Sequence, residues 1–131
     1  MPARSVSINI NNLTDFSLTK IDEGLDHGAW TNDNPPPQTV APHTRIYFEG
    51  ESDGFATGTE GHVKYRIEDG QSSEFDFDWD NAYSSNVIGQ HYNIFHEFIN
   101  DKYAIWHVGD DHDQNESIEL YVDISRGIVV Q

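Results

Sequence analysis

Apolar and polar residues alternate with a period of two through most of this chain. Val6, Ile8 and Ile10 are interleaved with Ser5, Ser7, Asn9 and Asn11. Successive side chains of a strand point to opposite faces, so the stretch predicts a strand with one buried face. The same alternation returns at Phe16 and Leu18, at Ile46 and Phe48, at Val63, Tyr65 and Ile67, and at Phe75, Phe77 and Trp79. It closes with Ile118, Leu120, Val122 and Ile124. Turn-forming residues separate these runs: Asn11, Asn12, Thr14 and Asp15, then Glu23-Gly24, Asn32 to Pro37, Asp53-Gly54, Asp69-Gly70 and Gly109 to Asn115. Many short strands with turns at short intervals predict an all-β, single-domain antiparallel β-sandwich. Pro35, Pro36 and Pro37 read as a stiff inter-strand loop, because too few residues precede them to form a domain.

One segment supports two patterns. Ile88, Tyr92, Phe95 and Ile99 have helical spacing, whereas Tyr92 with Ile94 and Tyr103 with Ile105 alternate as strands. The strand reading predicts a hairpin turning at Asn100-Asp101, with a short helical turn near Phe95 as the alternative.

Composition narrows the function classes. With 131 residues, 36% hydrophobic and 12% aromatic, the chain fits one domain, residues 1–131, with a core of its own. It has no cysteine, which excludes disulfides, thiolate nucleophiles and zinc-thiolate sites. No apolar run reaches the length of a signal peptide or a membrane-spanning helix, so a soluble protein without a signal peptide is expected, and any release would follow lysis or a non-standard route. The formal net charge of −16 repels phosphate backbones, and nucleic acid is excluded as a partner. Seven histidines would cancel part of that charge on protonation, so mild acid is expected to favour self-association, as a homo-oligomer, or docking to membranes.

The candidate chemistry is that of binding. The ladder Glu74, Asp76, Asp78 and Asp80 imitates the start of a calcium loop but lacks its glycine and late glutamate, and it reads as a solvated strand face partly neutralised by Lys64 and Arg66. The segment Asp110, Asp111, His112, Asp113, Gln114, Asn115 and Glu116 offers more donors, with Asp110, Asp111 and Asp113 as weak metal candidates; a polar hairpin tip is the plainer reading. No cofactor is expected. No histidine pair, nucleophile elbow or phosphate-cradling glycine loop is present, and with 23 acids a carboxylate pair for a hydrolase can always be imagined, so an enzyme is not expected. Phe48, Tyr65, Phe75, Phe77 and Trp79 fall at inward strand positions, while Trp30, Tyr83 and Tyr92 fall beside loops. An aromatic ring with a polar tip suits a lipid headgroup boundary, a sugar face, or a cap on the end of the sandwich.

Several motifs resemble the aegerolysin family. They are Ser5 to Asn12, Gly28-Ala29-Trp30, Asp53 to Gly61, Lys64 to Ile67, Phe77 to Tyr83 and the final hairpin, Tyr103 to Ile124. Their order is similar to that in the small component of the binary insecticidal crystal toxins active on rootworm. The resemblance implies a β-sandwich that recognises membrane lipid, such as sphingolipid or sterol, or an insect gut receptor. It also implies a cytoplasmic inclusion as the place of storage, and a larger pore-forming partner, pore formation and haemolysis being joint activities. Resemblance and loop aromatics together nominate Trp30, Thr57, Asp80, Tyr83 and Tyr92 for lipid or receptor contact. The chain departs from the family pattern at Ala82, where proline is usual, at Ser84-Ser85-Asn86, and in a longer stretch from Val87 to Ile99. Thr57 stands where lipid-binding fungal members carry an acid, so ceramide phosphoethanolamine is not carried over as the ligand. The runner-up is a carbohydrate-binding module or lectin stacking sugar on Trp30 and Tyr83.

Overall fold

The structure is a computed structural model that describes residues 4–54, 58–71, 73–81, 91–97, 103–110 and 117–126. Ten strands are described: β1 Ser5–Asn12, β2 Leu18–His27, β3 Ala29–Trp30, β4 Thr39–Val40, β5 Thr44–Glu51, β6 Thr59–Ile67, β7 Ser73–Asn81, β8 His91–Glu97, β9 Tyr103–Asp110 and β10 Ser117–Arg126. They form two five-stranded sheets: sheet A in the order β3-β5-β1-β10-β9, and sheet B in the order β4-β2-β6-β7-β8. The described helical structure is a single 3-10 turn, Thr31–Asp33, and no helix among the described residues is long and apolar enough to cross a membrane.

Alternation places the core where the sequence predicts it. Val6, Ile8, Ile10, Phe48, Val122 and Ile124 of sheet A face Leu18, Val63, Tyr65, Ile67, Phe75, Phe77 and Trp79 of sheet B, and all are buried. Each large side chain withdrawn from water in this way contributes about 2 kcal/mol. The sequence's acid ladder lies on the opposite face of β7, where Lys64 pairs with Glu74 at 3.2 Å. Arg66 turns to Glu68 instead, and its hydrogen bond, with a second from Thr19, holds the Glu68 carboxyl below the usual carboxylate range.

Two expectations need correction. Residues 91–97 and 103–110 are strands, with Phe95 in β8, but they do not form a hairpin: β8 pairs with β7 in sheet B and β9 pairs with β10 in sheet A. The period of two settles which side chains point inward, and it says nothing of which strand lies alongside. Glu23-Gly24 is not a turn. Both residues lie inside β2, where the His62 ring of β6 lies over Gly24. Within the β-sandwich that the sequence predicts, one described pair runs parallel: β1 and β10, from Ser5 beside Ser117 to Asn12 beside Ile124.

The strand directions give the sandwich two distinct ends. At one, the Asn12 end, Asn12 is fully buried and its amide donates to the carbonyls of Phe16 (2.8 Å) and Ala41 (3.0 Å). Its oxygen accepts from the Thr14 backbone N–H and hydroxyl, so one side chain organises the whole β1–β2 turn. The Tyr65 hydroxyl donates to the Pro37 carbonyl at 2.7 Å, and the Tyr103 hydroxyl crosses from sheet A to Asp69 in the β6–β7 turn of sheet B at 2.6 Å. Burial, with Glu23 nearby, holds the Tyr65 phenol well above its ordinary pKa.

Candidate binding site at the Trp30 end

At the opposite end, His27 of β2, Glu51 of β5, Thr59 of β6, Asn81 of β7 and Asp110 of β9 all lie at strand termini. Trp30 on β3 pairs with Gly50 there. Its indole is half-buried and packs edgewise on Trp79 (5.8 Å between centroids, 62° between planes) and on Phe48 (6.2 Å, 82°). Backbone without side chains makes room for this cluster. A Cβ at Gly61 would stand 2.7 Å from Trp79, and one at Gly50 would stand 3.4 Å from it. Gly28 takes a positive φ of 103°, and a Cβ there would strike the Glu51 carbonyl at 2.4 Å, so glycine is required on both counts. The Trp79 indole N–H donates to the Thr59 hydroxyl at 3.3 Å, which satisfies the one polar atom of a buried ring.

The chain leaves Trp30 through a strained turn. Asn32 and Asp33 both adopt left-handed backbone conformations, at φ 58° and 56°. Asparagine and aspartate tolerate this better than other residues, yet two in succession are held only because the surroundings fix them. The Thr31 hydroxyl lies 2.7 Å from a Glu49 oxygen and 3.0 Å from a Glu51 oxygen, which anchors the start of the turn to β5.

Beside the cluster, on the outer face of sheet B, lies a cleft of about 330 Å³ lined by Asp26, Glu60, Gly61, His62, Asp78, Trp79 and Asp80. Register explains its composition. Glu60 stands opposite Asp80 and His62 opposite Asp78, while irregular pairing between Leu25 and His27 brings Asp26 to the rim. The His62 imidazole lies over Gly24 and meets Asp22 at 3.0 Å, and His27 lies 3.8 Å from Glu60. Four carboxylates therefore surround this depression, and their field attracts cations and ammonium groups while repelling bare phosphate. No group of three or more metal-ligating side chains with suitable geometry occurs among the described residues.

Of the residues the sequence nominates, Trp30 and Asp80 are brought to this end, Trp30 in the aromatic cluster and Asp80 in the cleft wall. Tyr92 belongs to β8 and pairs with Trp79. Thr57 and Tyr83 lie outside the described residues, as do Asp111 and Asp113, while Asp110 is the last residue of β9. Trp79, read from sequence only as core, also supports Trp30 and borders the cleft. The signal that could have shown this is the pair of glycines, Gly50 and Gly61, each aligned with a tryptophan across the ladder.

Searches of known proteins find the same architecture in proteins of very different sequence. The lipid-binding protein Nakanori superposes with a TM-score of 0.75 at 12% identity, over 95% of this chain and 72% of that one. The RahU protein, solved with a TRIS molecule, gives 0.75 at 13% identity over 99% of this chain and all of that one. The fold is aegerolysin-like. A lectin from Xerocomus chrysenteron is more distant, at 0.57 and 7% identity over 93% of this chain and 99% of that one. In sequence, an uncharacterised protein of Dictyostelium discoideum is 35% identical over 80 residues, 60% of this chain, and the match spans only 7% of that protein. No family model matches the chain.

Proposed function

We propose that the protein is a membrane-lipid recognition module that binds through its Trp30 end. The observation that carries the reading is the placing of a half-buried tryptophan, supported on a second one, beside an acidic cleft at one end of a sandwich shared with a lipid-binding protein. An indole at the headgroup level sinks its apolar edge while keeping its N–H near water, and carboxylates alongside suit the ammonium of a zwitterionic headgroup. An anionic bilayer would be repelled by a chain of net charge −16.

The resemblance to binary toxins extends the proposal: the chain is the recognition half of a two-component pore-former, aimed at sphingolipid- or sterol-containing membrane or at an insect gut receptor. Permeabilisation would then come from a larger partner. The polar outer faces support this division of labour. Although β2 and β10 are ten residues long, enough for a barrel strand, β2 exposes Asp22, Asp26 and His27, and β7 carries Asp76, Asp78 and Asp80 outside. Lipid would meet charge where a transmembrane barrel needs an apolar band. An enzyme is not proposed.

The test is co-sedimentation with liposomes of phosphatidylcholine alone, with sphingomyelin and cholesterol added, and with phosphatidylserine added, with dye release followed in parallel. Selective pelleting on zwitterionic vesicles without dye release, weakened by Trp30→Phe and by Asp80→Asn in variants that unfold at the wild-type temperature, is the expected result. Absence of pelleting on every mixture removes the reading, and dye release by the purified chain alone removes the two-component extension.

A further inference from the structure

The outer face of sheet A lies away from the cleft and carries the two most exposed aromatic side chains among the described residues, Trp106 of β9 at 61% and Tyr47 of β5 at 56%. Register places them on one surface. Arg45, Asn11, Asp123 and Trp106 form one cross-strand row, and Tyr47 and Asn9 begin the next. Asn9, Asn11 and Asp123 are only half-buried, so amide and carboxylate groups lie in the rows between the two exposed rings. The Tyr47 ring is held in place: its hydroxyl donates to Glu49 at 3.1 Å, and the Glu49 carboxylate is itself held by Ser7 and Thr31. A tether from one residue to its second neighbour along a strand limits the ring's rotation while leaving it exposed.

We propose that this face binds a chain of β-1,4-linked hexopyranose units, with Tyr47 and Trp106 as stacking platforms and Asn9, Asn11, Arg45 and Asp123 as hydroxyl partners. A pyranose with equatorial substituents has an apolar C–H face that packs on an aromatic ring and a rim of hydroxyls that needs donors and acceptors, and this face offers both. A β-1,4 chain runs as an extended ribbon, a shape that can lie across the four strands between the two rings. The length follows from the register, because Tyr47 and Trp106 stand three strand spacings and two residues apart, about 16 Å. One sugar cannot touch both.

Other occupants fit less well. A bilayer would strip water from Asn9, Asn11, Arg45 and Asp123 and return no hydrogen bonds. A second copy would set Glu49 and Asp123 against their like in a chain of net charge −16. The site lies on the opposite sheet from the cleft, meets the Trp30 end through the bond between Thr31 and Glu49, and does not rest on the lipid reading.

Titration calorimetry of the full chain with cello-oligosaccharides and chito-oligosaccharides, from monosaccharide to hexasaccharide, tests the proposal, with pull-down on insoluble cellulose and chitin. Affinity is expected to rise with chain length and to level once both rings are spanned. Trp106→Ala and Tyr47→Ala should each weaken it about tenfold, the loss of one stacking contact. Tyr47→Phe, which keeps the ring and loses the tether, should weaken it less. Trp30→Phe should leave it unchanged, and the outward variants should keep the wild-type unfolding temperature. The proposal is overturned if no saccharide binds, or if binding ignores both ring deletions. It is equally overturned if those deletions alter only sedimentation of the protein, marking a contact between copies, or only liposome pelleting, marking a lipid contact.

Discussion

The two ends of the sandwich are built from the same strands by opposite means. The Asn12 end is fastened by hydrogen bonds from buried or half-buried side chains to backbone, Asn12 to Phe16 and Ala41 and Tyr65 to Pro37, and by the Tyr103 to Asp69 bond between side chains of the two sheets. The Trp30 end is held by ring packing over glycines and leaves through two left-handed residues. Directional bonds lock one geometry, whereas rings packed over bare backbone leave a surface whose shape depends on what is absent. Among the described residues, then, one end is fixed by directional bonds and the other by ring packing.

The comparison can be broken first at the fixed end. Asn12→Ala leaves the Phe16 and Ala41 carbonyls and the Thr14 donors without their partner in a buried site, and a loss of about 3 kcal/mol is expected in denaturant unfolding. Lipid binding by the fraction still folded should be unchanged. A loss below about 0.5 kcal/mol would show that water replaces the side chain, and the end would not be locked.

Gly61→Ala probes the other end. The added methyl meets the Gly24 carbonyl and Trp79 at 2.7 Å and Leu25 at 2.9 Å, so a destabilisation of about 2 kcal/mol is expected, with a shift in tryptophan fluorescence as the Trp30 and Trp79 rings separate. Unchanged stability and emission would mean that the cluster yields easily, contrary to its role as a support.

Tyr65→Phe sharpens the contrast by pH. At neutral pH the missing bond to Pro37 should cost about 1 kcal/mol. The folded-state pKa of Tyr65 is raised, so its contribution to stability is intact below the ordinary tyrosine value of about 10 and is lost as pH rises past it, when the unfolded chain ionises and the folded one does not. Wild-type stability should therefore fall in alkali more steeply than that of Tyr65→Phe. Parallel curves would contradict this assignment.

How much of this was legible in the sequence depends on what each pattern encodes. Alternation reports the face a residue takes, and Val63, Tyr65, Ile67, Phe75, Phe77 and Trp79 are inward as read. It does not report the neighbour, so β8 and β9 were joined in a hairpin when they belong to different sheets. Gly24 beside an acid carries the signature of a turn, yet it lies inside β2 opposite His62, a placement fixed by pairing with β6 that no local window contains. Trp30 was legible as a loop-side aromatic; the cleft was not, because Asp26, Glu60, His62, Asp78 and Asp80 come from three strands and an irregular pairing that only the assembled sheet defines. The outward pair Tyr47 and Trp106 had no sequence signal beyond position parity.

The parallel pairing of β1 with β10 has a mechanical consequence. Ser5 lies beside Ser117 and Asn12 beside Ile124, so the start of the first strand and the finish of the last point toward opposite ends of the sandwich. Tension applied through Arg4 and Arg126 would slide these two central strands along each other and load their hydrogen bonds together, where an antiparallel pair pulled at one end would open bond by bond. The sandwich is thus clasped along its own middle, and force transmitted through β1 and β10, as when a tethered chain is drawn against a surface, would meet all of these hydrogen bonds at once.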